Sequence, residues 1–231
     1  MALSHNPKIV TDNLSFILDA GNPKCYSGSG TATSDAAKGA SGTLVNGVGY
    51  STDNGGVFTF TTASSQFIRF TNTADIELST NASYTLSYWI YMNQTAVEAG
   101  IGFFAPMMKA SFGNSYGHLI QGDPAGKVLV YAEEGSSVEL SSTANLSTQK
   151  WHYVSCTVST TSIDLYIDGQ LDKSLTTGWT LTTNTSPLYI GSNNGANYFL
   201  DGKMGVCTLH NRVLTAAEIV QNYEAHKGRF I

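Results

Sequence analysis

Hydrophobic and polar residues alternate with period two along most of this chain, the spacing that gives a β-strand one apolar and one polar face. In "YTLSYWIYM", Leu86, Tyr88, Ile90 and Met92 fall on one face and Thr85, Ser87, Trp89 and Tyr91 on the other. Both faces carry aromatic rings, which predicts a central strand. Residues 151–171, "WHYVSCTVSTTSIDLYIDGQL", hold two runs rich in β-branched and aromatic residues around the polar Ser159, Thr160, Thr161 and Ser162. That is the pattern of two antiparallel strands. Val154, Cys156 and Val158 form the inward set of the first, and Leu165 and Ile167 that of the second. Asp168-Gly169 then reads as a two-residue turn, because Gly169 accepts positive φ.

Further strands are predicted at "LSFILDA", "GTLVNG", "GVFTFT", "QFIRFT", "GIGFFAPMMKA", "GHLIQ", "KVLVYAEE", "SVELS", "QLDKSL", "SPLYIGS" and "DGKMGVCTLH". Gly, Asn, Asp and Ser clusters separate them, with no Pro-rich or charged linker. So many strands at regular intervals predict an all-β fold of two packed antiparallel sheets, a β-sandwich of jelly-roll type. One helix is predicted near the C-terminus, over about residues 215–227. Thr215 is its N-cap, Glu218 completes a capping box, and Gly228 is its terminator. Ile219 and Tyr223 share a face, so the helix reads as a latch covering an edge or end of a sheet. Residues 1–13 read as an N-terminal arm and residues 14–231 as one domain that includes the helix.

Composition narrows the function. The chain has 231 residues, enough to bury roughly 70–75% of the unfolded surface. Only 13% are charged, and the net charge is -5. This gives no general attraction to phosphate backbones or anionic lipids, so neither nucleic acid nor a membrane is an expected partner. The longest nearly apolar run, Ile101 to Met108, falls far short of the about 20 residues needed to cross a bilayer. "MALSHNPKIVTDN" has no apolar core of a signal peptide. Cys25, Cys156 and Cys207 are odd in number and widely spaced, as expected of reduced structural thiols.

Five segments in order carry a resemblance: "YTLSYWIYM", "KWHYVSCTV", "IDLYIDGQL", "LYIGSNNGANYFLDGKMG" and "LHNRVLTAAEIVQNYEA". The order resembles that of the laminin-G-like, concanavalin A-like jelly-roll family, with His210 where a Tyr is more usual. The flanks "NPKIVTDNLSFILDAGNPKCYSGSGT" and "QNYEAHKGRF" are similar to those of laminin-G-like proteins of bacteriophages, notably marine ones. One loop departs: "ATSDAAKGASGTLVNG" keeps Asp35 but has Thr33 in place of a Trp and lacks most of a D-L-S-G-N-G stretch. The resemblance implies a non-enzymatic virion component, assembled in a host cytoplasm, that decorates a capsid or a fibre. Its implied partners are other virion proteins, host-surface glycans and further copies of itself. Two other readings stand beside it, a free calcium-assisted lectin and a polysaccharide-cleaving glycoside hydrolase.

The chemistry-bearing residues weigh these readings. Laminarinase-type hydrolases on this sandwich carry a motif resembling E-x-D-x-x-E. Here "ADIELS" offers only Asp75 and Glu77, and the adjacent Glu133 and Glu134 fall on opposite faces of a strand. His5, His118, His152, His210 and His226 lie in no recognisable hydrolase context, and His152 reads as a hydrogen-bonded structural histidine. Asp201 of "LDGK" is read, like Asp168, as a turn residue. Relatives of this fold bind calcium through loop oxygens. Asp19, Asp35, Asp123 and Asp201 are the candidate ligands, although no D-x-D-x-D-G loop selects among them. A sugar site pairs an aromatic face with amide and hydroxyl hydrogen bonds. Asn193, Asn194, Asn197 and Tyr198 of "GSNNGANYF" supply those groups in one loop, while Asn-Asn-Gly is also ordinary turn chemistry. Trp89 and Trp151 read as core anchors, and Trp179 as the exposed Trp.

Overall fold

A computed structural model describes residues 7–111, 114–123, 125–134, 136–176 and 182–231. His5 and Trp179 lie outside the described residues. In chain order the strands are β1 (Leu14–Leu18), β2 (Ala32–Ser34), β3 (Ser41–Val45), β4 (Gly49–Ser51), β5 (Val57–Phe60), β6 (Phe67–Phe70), β7 (Tyr84–Met92) and β8 (Phe103–Ser111). They continue with β9 (Asn114–Gln121), β10 (Lys127–Glu134), β11 (Ser136–Asn145), β12 (Trp151–Val158), β13 (Ser162–Ile167), β14 (Gln170–Thr176), β15 (Leu188–Ile190) and β16 (Gly202–His210). Helix α1 (Ala216–Phe230) closes the chain.

The strands form two antiparallel sheets, as the alternation predicted. One runs β14-β13-β12-β7-β16-β5-β4, with β1 also paired to β16; the other runs β11-β10-β9-β8-β15-β6-β3-β2. β7 is central, and its Leu86, Tyr88, Ile90 and Met92 enter the apolar layer between the sheets beside Val154, Cys156 and Val158 of β12. Ile163 and Leu165 of β13 join them, with Ile167 packed at the margin. β2 and β4, three residues each, escaped the sequence reading. Cys25, Cys156 and Cys207 are free and buried, and burial pushes all three thiols above the ordinary range. No helix among the described residues is long and apolar enough to cross a membrane.

Helix α1 departs from expectation in two ways. It covers the outer face of the first sheet, not an edge or end, and it runs through Gly228 to Phe230. Both follow from the aromatic residues on that face. The Trp89 ring of β7 stacks on Tyr223 at 5.5 Å and on Phe230 at 4.7 Å, and Trp151 of β12 meets Phe230 at 4.7 Å. Gly205 of β16 leaves the space, since a Cβ there would lie 2.5 Å from the Phe230 ring. Arg229 pins the last turn, with Nη1 and Nη2 on the Asp19 carboxylate at 2.8 and 3.0 Å. These contacts outweigh the modest helix cost of one glycine. At the other end, Thr215 and Glu218 form the expected capping box. Hydrogen bonds from Arg212 and the Thr215 N–H hold the Glu218 carboxyl down to about 2. Within the expected arm, Val10 is buried, its N–H donating to Asn222 Oδ1 at 2.7 Å and its carbonyl bonded to His210 Nε2 at 3.0 Å.

Asp35 closes the loop between β2 and β3 from inside. It is buried, and its carboxylate accepts from the N–H groups of Ile17 (2.6 Å), Ala37 (2.8 Å) and Lys38 (2.7 Å). Removing such an acceptor leaves partly buried donors unpaired, at roughly 1–3 kcal/mol for each well-buried group. Asp35→Ala is expected to lower the unfolding free energy by about 2–4 kcal/mol in denaturant titration. Asp35→Asn should retain part of that stability.

Candidate functional site

The second sheet turns a second apolar surface outward. A β-bulge in β8 separates Phe104 and Met107, which face the core, so that Phe103, Ala105 and Met108 face outward. Leu119 of β9 and Leu129 of β10, paired with one another, continue this surface, and Tyr131 packs beside them. Gly117 sits between Met108 and Tyr131 in register; a Cβ there would run into the Met107 carbonyl oxygen and lie 2.6 Å from Met108 Sδ, and the backbone contact restricts the position to glycine.

The bulge also seats the loop that follows β15. Ala105 N–H donates to Tyr198 O at 2.8 Å, and Gly191 N–H donates to Pro106 O at 2.9 Å. Pro106 lacks an N–H and is tolerated at such a point. Within the loop, Asn193 N–H donates to Asn197 O at 2.9 Å around a tight turn in which Asn194 has φ 56° and Gly195 φ 66°. Tyr198 is itself held at φ 55°, a left-handed conformation that non-glycine residues adopt rarely and that concentrates at functional positions. That conformation places its ring edge-on to Phe103, 5.2 Å between centroids.

The result is a cleft of about 280 Å³ lined by Phe103, Met108, Leu119, Leu129, Tyr131, Glu139, Asn193 and Tyr198. Its base is aliphatic, three rings stand around it, and its polar residues include Glu139, Asn193 and the two tyrosines. Asn193 Oδ1 is buried and accepts no hydrogen bond. A buried acceptor left unpaired is costly, and a donor from a ligand or an ordered water would satisfy it. Another depression of about 280 Å³, lined by Ala74, Glu77, Ser79, Ala82, Ser83 and Asn211, has no aromatic lining.

Two of the four residues expected at a sugar site, Asn193 and Tyr198, line this cleft; Asn194 and Asn197 stand exposed at the turn tip. Sequence reasoning missed Phe103, Met108, Leu119, Leu129, Tyr131 and Glu139. The available signal was that "GIGFFAPMMKA" and "KVLVYAEE" carry large apolar residues at both alternating positions, so neither face is polar.

The calcium candidates do not converge. Asp19 is neutralised by Arg229, Asp35 is filled by three N–H donors, and Asp201 accepts from Asn93 Nδ2 at 2.7 Å and Gln94 Nε2 at 2.8 Å. Asp123 is exposed, and among the described residues no three His, Cys, Asp or Glu side chains gather as a metal site. Donors already surround the Asp19, Asp35 and Asp201 carboxylates, whereas calcium requires free oxygen ligands. Asp201 is also not the hairpin turn expected of it, because Gly202 starts β16 directly and lies against Tyr91 O.

His152 and Asp168 of the hairpin of residues 151–171 form a hydrogen-bonded chain with Ser147 of the preceding loop. His152 Nδ1 lies 3.0 Å from Asp168 Oδ2, and Nε2 lies 3.0 Å from Ser147 Oγ. The order resembles a nucleophile, base and orienting acid. However, the Ser147 N–H also donates to Nε2 at 3.2 Å, so the lone pair a base would use is already engaged. Asp168 Oδ1 accepts from Tyr153 N–H at 2.8 Å. Burial would raise the Asp168 pKa, but the bonds from His152 and Tyr153 hold it below the usual carboxylate range. This chain ties the β11–β12 loop to the β13–β14 turn, where Asp168 and Gly169 have φ 50° and 80°. It is a structural clasp, as read for His152.

Comparison with known proteins agrees with this architecture. Among solved structures, domain 4 of AbnA, a GH43 extracellular arabinanase from Geobacillus stearothermophilus, in complex with arabinotriose, matches at TM-score 0.73 and 16% identity, covering 91% of this chain and 98% of that one. The binding domain of Paraclostridial Mosquitocidal Protein 1 matches at TM-score 0.69 and 14% identity, over 92% of this chain and 52% of that one. The binding domain of botulinum neurotoxin DC in complex with SialylT matches at TM-score 0.70 and 11% identity, over 94% and 52%. The chain thus spans nearly all of the arabinanase domain and about half of the toxin chains. At these identities the likeness is one of fold. A search of curated proteins finds no match. The family model of the concanavalin A-like lectin/glucanases superfamily matches residues 62–220, more than half the chain, and this protein belongs to that superfamily.

Proposed function

We propose that this protein is a non-enzymatic glycan-binding β-sandwich whose ligand seat is the outer cleft of the second sheet. The observation that carries the reading is the joining of three aromatic rings, Phe103, Tyr131 and Tyr198, to an unpaired buried acceptor, Asn193 Oδ1, in one cleft. Rings pack against sugar C–H faces, while Asn193 and Glu139 accept from hydroxyls. A hydrolase of the two-carboxylate kind needs a second acid facing the first. Among the described residues lining the cleft, Glu139 is the one carboxylate. The side chains of Glu133 and Glu134 lie outside the described set.

The biological setting we propose is a bacteriophage particle, on which the chain decorates the capsid or a fibre and adheres to host-surface glycans. The N- and C-terminal flanks of the sequence support this setting. Mass spectrometry of purified virions should find the chain; its absence would overturn the setting while leaving the cleft intact. Calorimetric titration against a panel of host polysaccharides, with and without calcium, tests the cleft. Tyr198→Ala is expected to weaken binding about tenfold or more, equivalent to ~1.4 kcal/mol. Stability should change far less than affinity. Unaltered affinity in this variant would remove the cleft from the account.

A further inference from the structure

We propose that Lys109 and Asn72 join in an intramolecular isopeptide bond, with Glu77 as the proton carrier. Lys109 lies on β8 and is 1% exposed. Its ammonium group meets no carboxylate among the ion pairs of the described residues; Nζ instead donates to Asn72 Oδ1 and Ser186 O, each at 2.7 Å. Topology explains the approach. β15 lies between β8 and β6, Lys109 pairs with Leu188 and Leu188 with Phe70, and Asn72 follows two residues beyond Phe70. The lysine side chain spans the end of β15 and reaches the Asn72 carboxamide on the far side. Asn72 Nδ2 in turn donates to Glu77 Oε2 at 3.3 Å, which places an acid/base group on the nitrogen that would leave.

Burial lowers the Lys109 pKa to about 7 even with the Glu77 charge nearby, so an uncharged amine is available near neutral pH. The neutral Nζ adds to Asn72 Cγ, passes a proton to the Glu77 carboxylate, and Glu77 returns a proton to Nδ2. The Cγ–Nδ2 bond breaks and ammonia leaves, while the Cγ–Nζ amide remains and Glu77 is again a carboxylate. No oxidant or further reactant is needed. Glu77 also lines the open depression with Ala74, Ser79, Ala82, Ser83 and Asn211, which gives ammonia an exit. The bond would staple β8, which supplies Phe103 and Met108 to the cleft, to the end of β6.

Denaturing intact-mass measurement on the full chain should give a mass lower than the sequence value by one ammonia, and digestion should yield a branched peptide joining Lys109 to Asn72. Glu77→Ala and Asn72→Ala are expected at their full sequence masses. Asn72→Asp should link with loss of water instead of ammonia, a signature that a purely structural lysine does not produce. Recovery of unmodified linear peptides containing Asn72 and Lys109 from the unaltered protein overturns the proposal, whatever the variants do.

Discussion

Acidification from pH 6.5 towards 3 is expected to destabilise this protein steeply, and His118→Leu should flatten that loss. His118 is fully buried on β9, its Nδ1 lies 3.1 Å from the Tyr88 hydroxyl, and burial drives its pKa down to about 3. The unfolded chain takes up the proton near the ordinary histidine value of about 6.5, whereas the folded chain does not. Between those values the unfolded state binds more protons, so stability rises with pH, is complete above about 6.5 and is lost as pH falls. The slope approaches ~1.4 kcal/mol per pH unit, or on the order of 4 kcal/mol across the window. His210 and His226, also lowered by burial, act in the same direction. His118→Leu gives up the Tyr88 hydrogen bond, roughly 1–3 kcal/mol at pH 7. Below about pH 5 the variant should equal or exceed the unaltered protein in urea titrations. Parallel pH profiles for the two proteins would show that His118 does not govern the acid limb.

Phe230→Ala is expected to cost about 3–5 kcal/mol, the range for truncating a buried aromatic ring. Phe230 is 6% exposed, stacks on Trp89 and packs at a tilt against Trp151. Its loss should expose those indoles, shifting tryptophan emission to longer wavelength and lowering the melting temperature together. Arg229→Ala should cost less, since its guanidinium is part-exposed and ion pairs of that kind contribute little. An unchanged melting temperature in Phe230→Ala would mean that the helix is an appendage and not the cover of that face.

The strands most legible in the sequence were those with an aromatic or β-branched residue on both faces. β7 and β12 announced themselves because each is covered twice, by the opposite sheet and by α1. β2 and β4 were invisible, since "ATS" and "GYS" are too short to show alternation and gain their pairing from β3 and β5. Gly228 looked like a helix end on local grounds, but Phe230 and Arg229 beyond it are held by Trp89 and Asp19. Asp201-Gly202 looked like Asp168-Gly169, yet only the second pair turns a hairpin, because distant partners decide what an Asp-Gly pair does. The cleft was half legible. The loop chemistry of Asn193 and Tyr198 could be read locally, whereas Phe103, Tyr131 and Glu139 come together only once β8, β10 and β11 are paired across β9.

The central claim is that the outer face of the second sheet holds the ligand. Its most direct test is to map amide chemical shifts while titrating the isotopically labelled protein with oligosaccharides from a host-polysaccharide digest. The account predicts saturable shifts concentrated at Phe103, Met108, Tyr131, Glu139, Asn193 and Tyr198. Saturable shifts centred on the depression around Glu77 and Asn211, or on the Ser147–His152–Asp168 clasp, with the cleft unmoved, would contradict it.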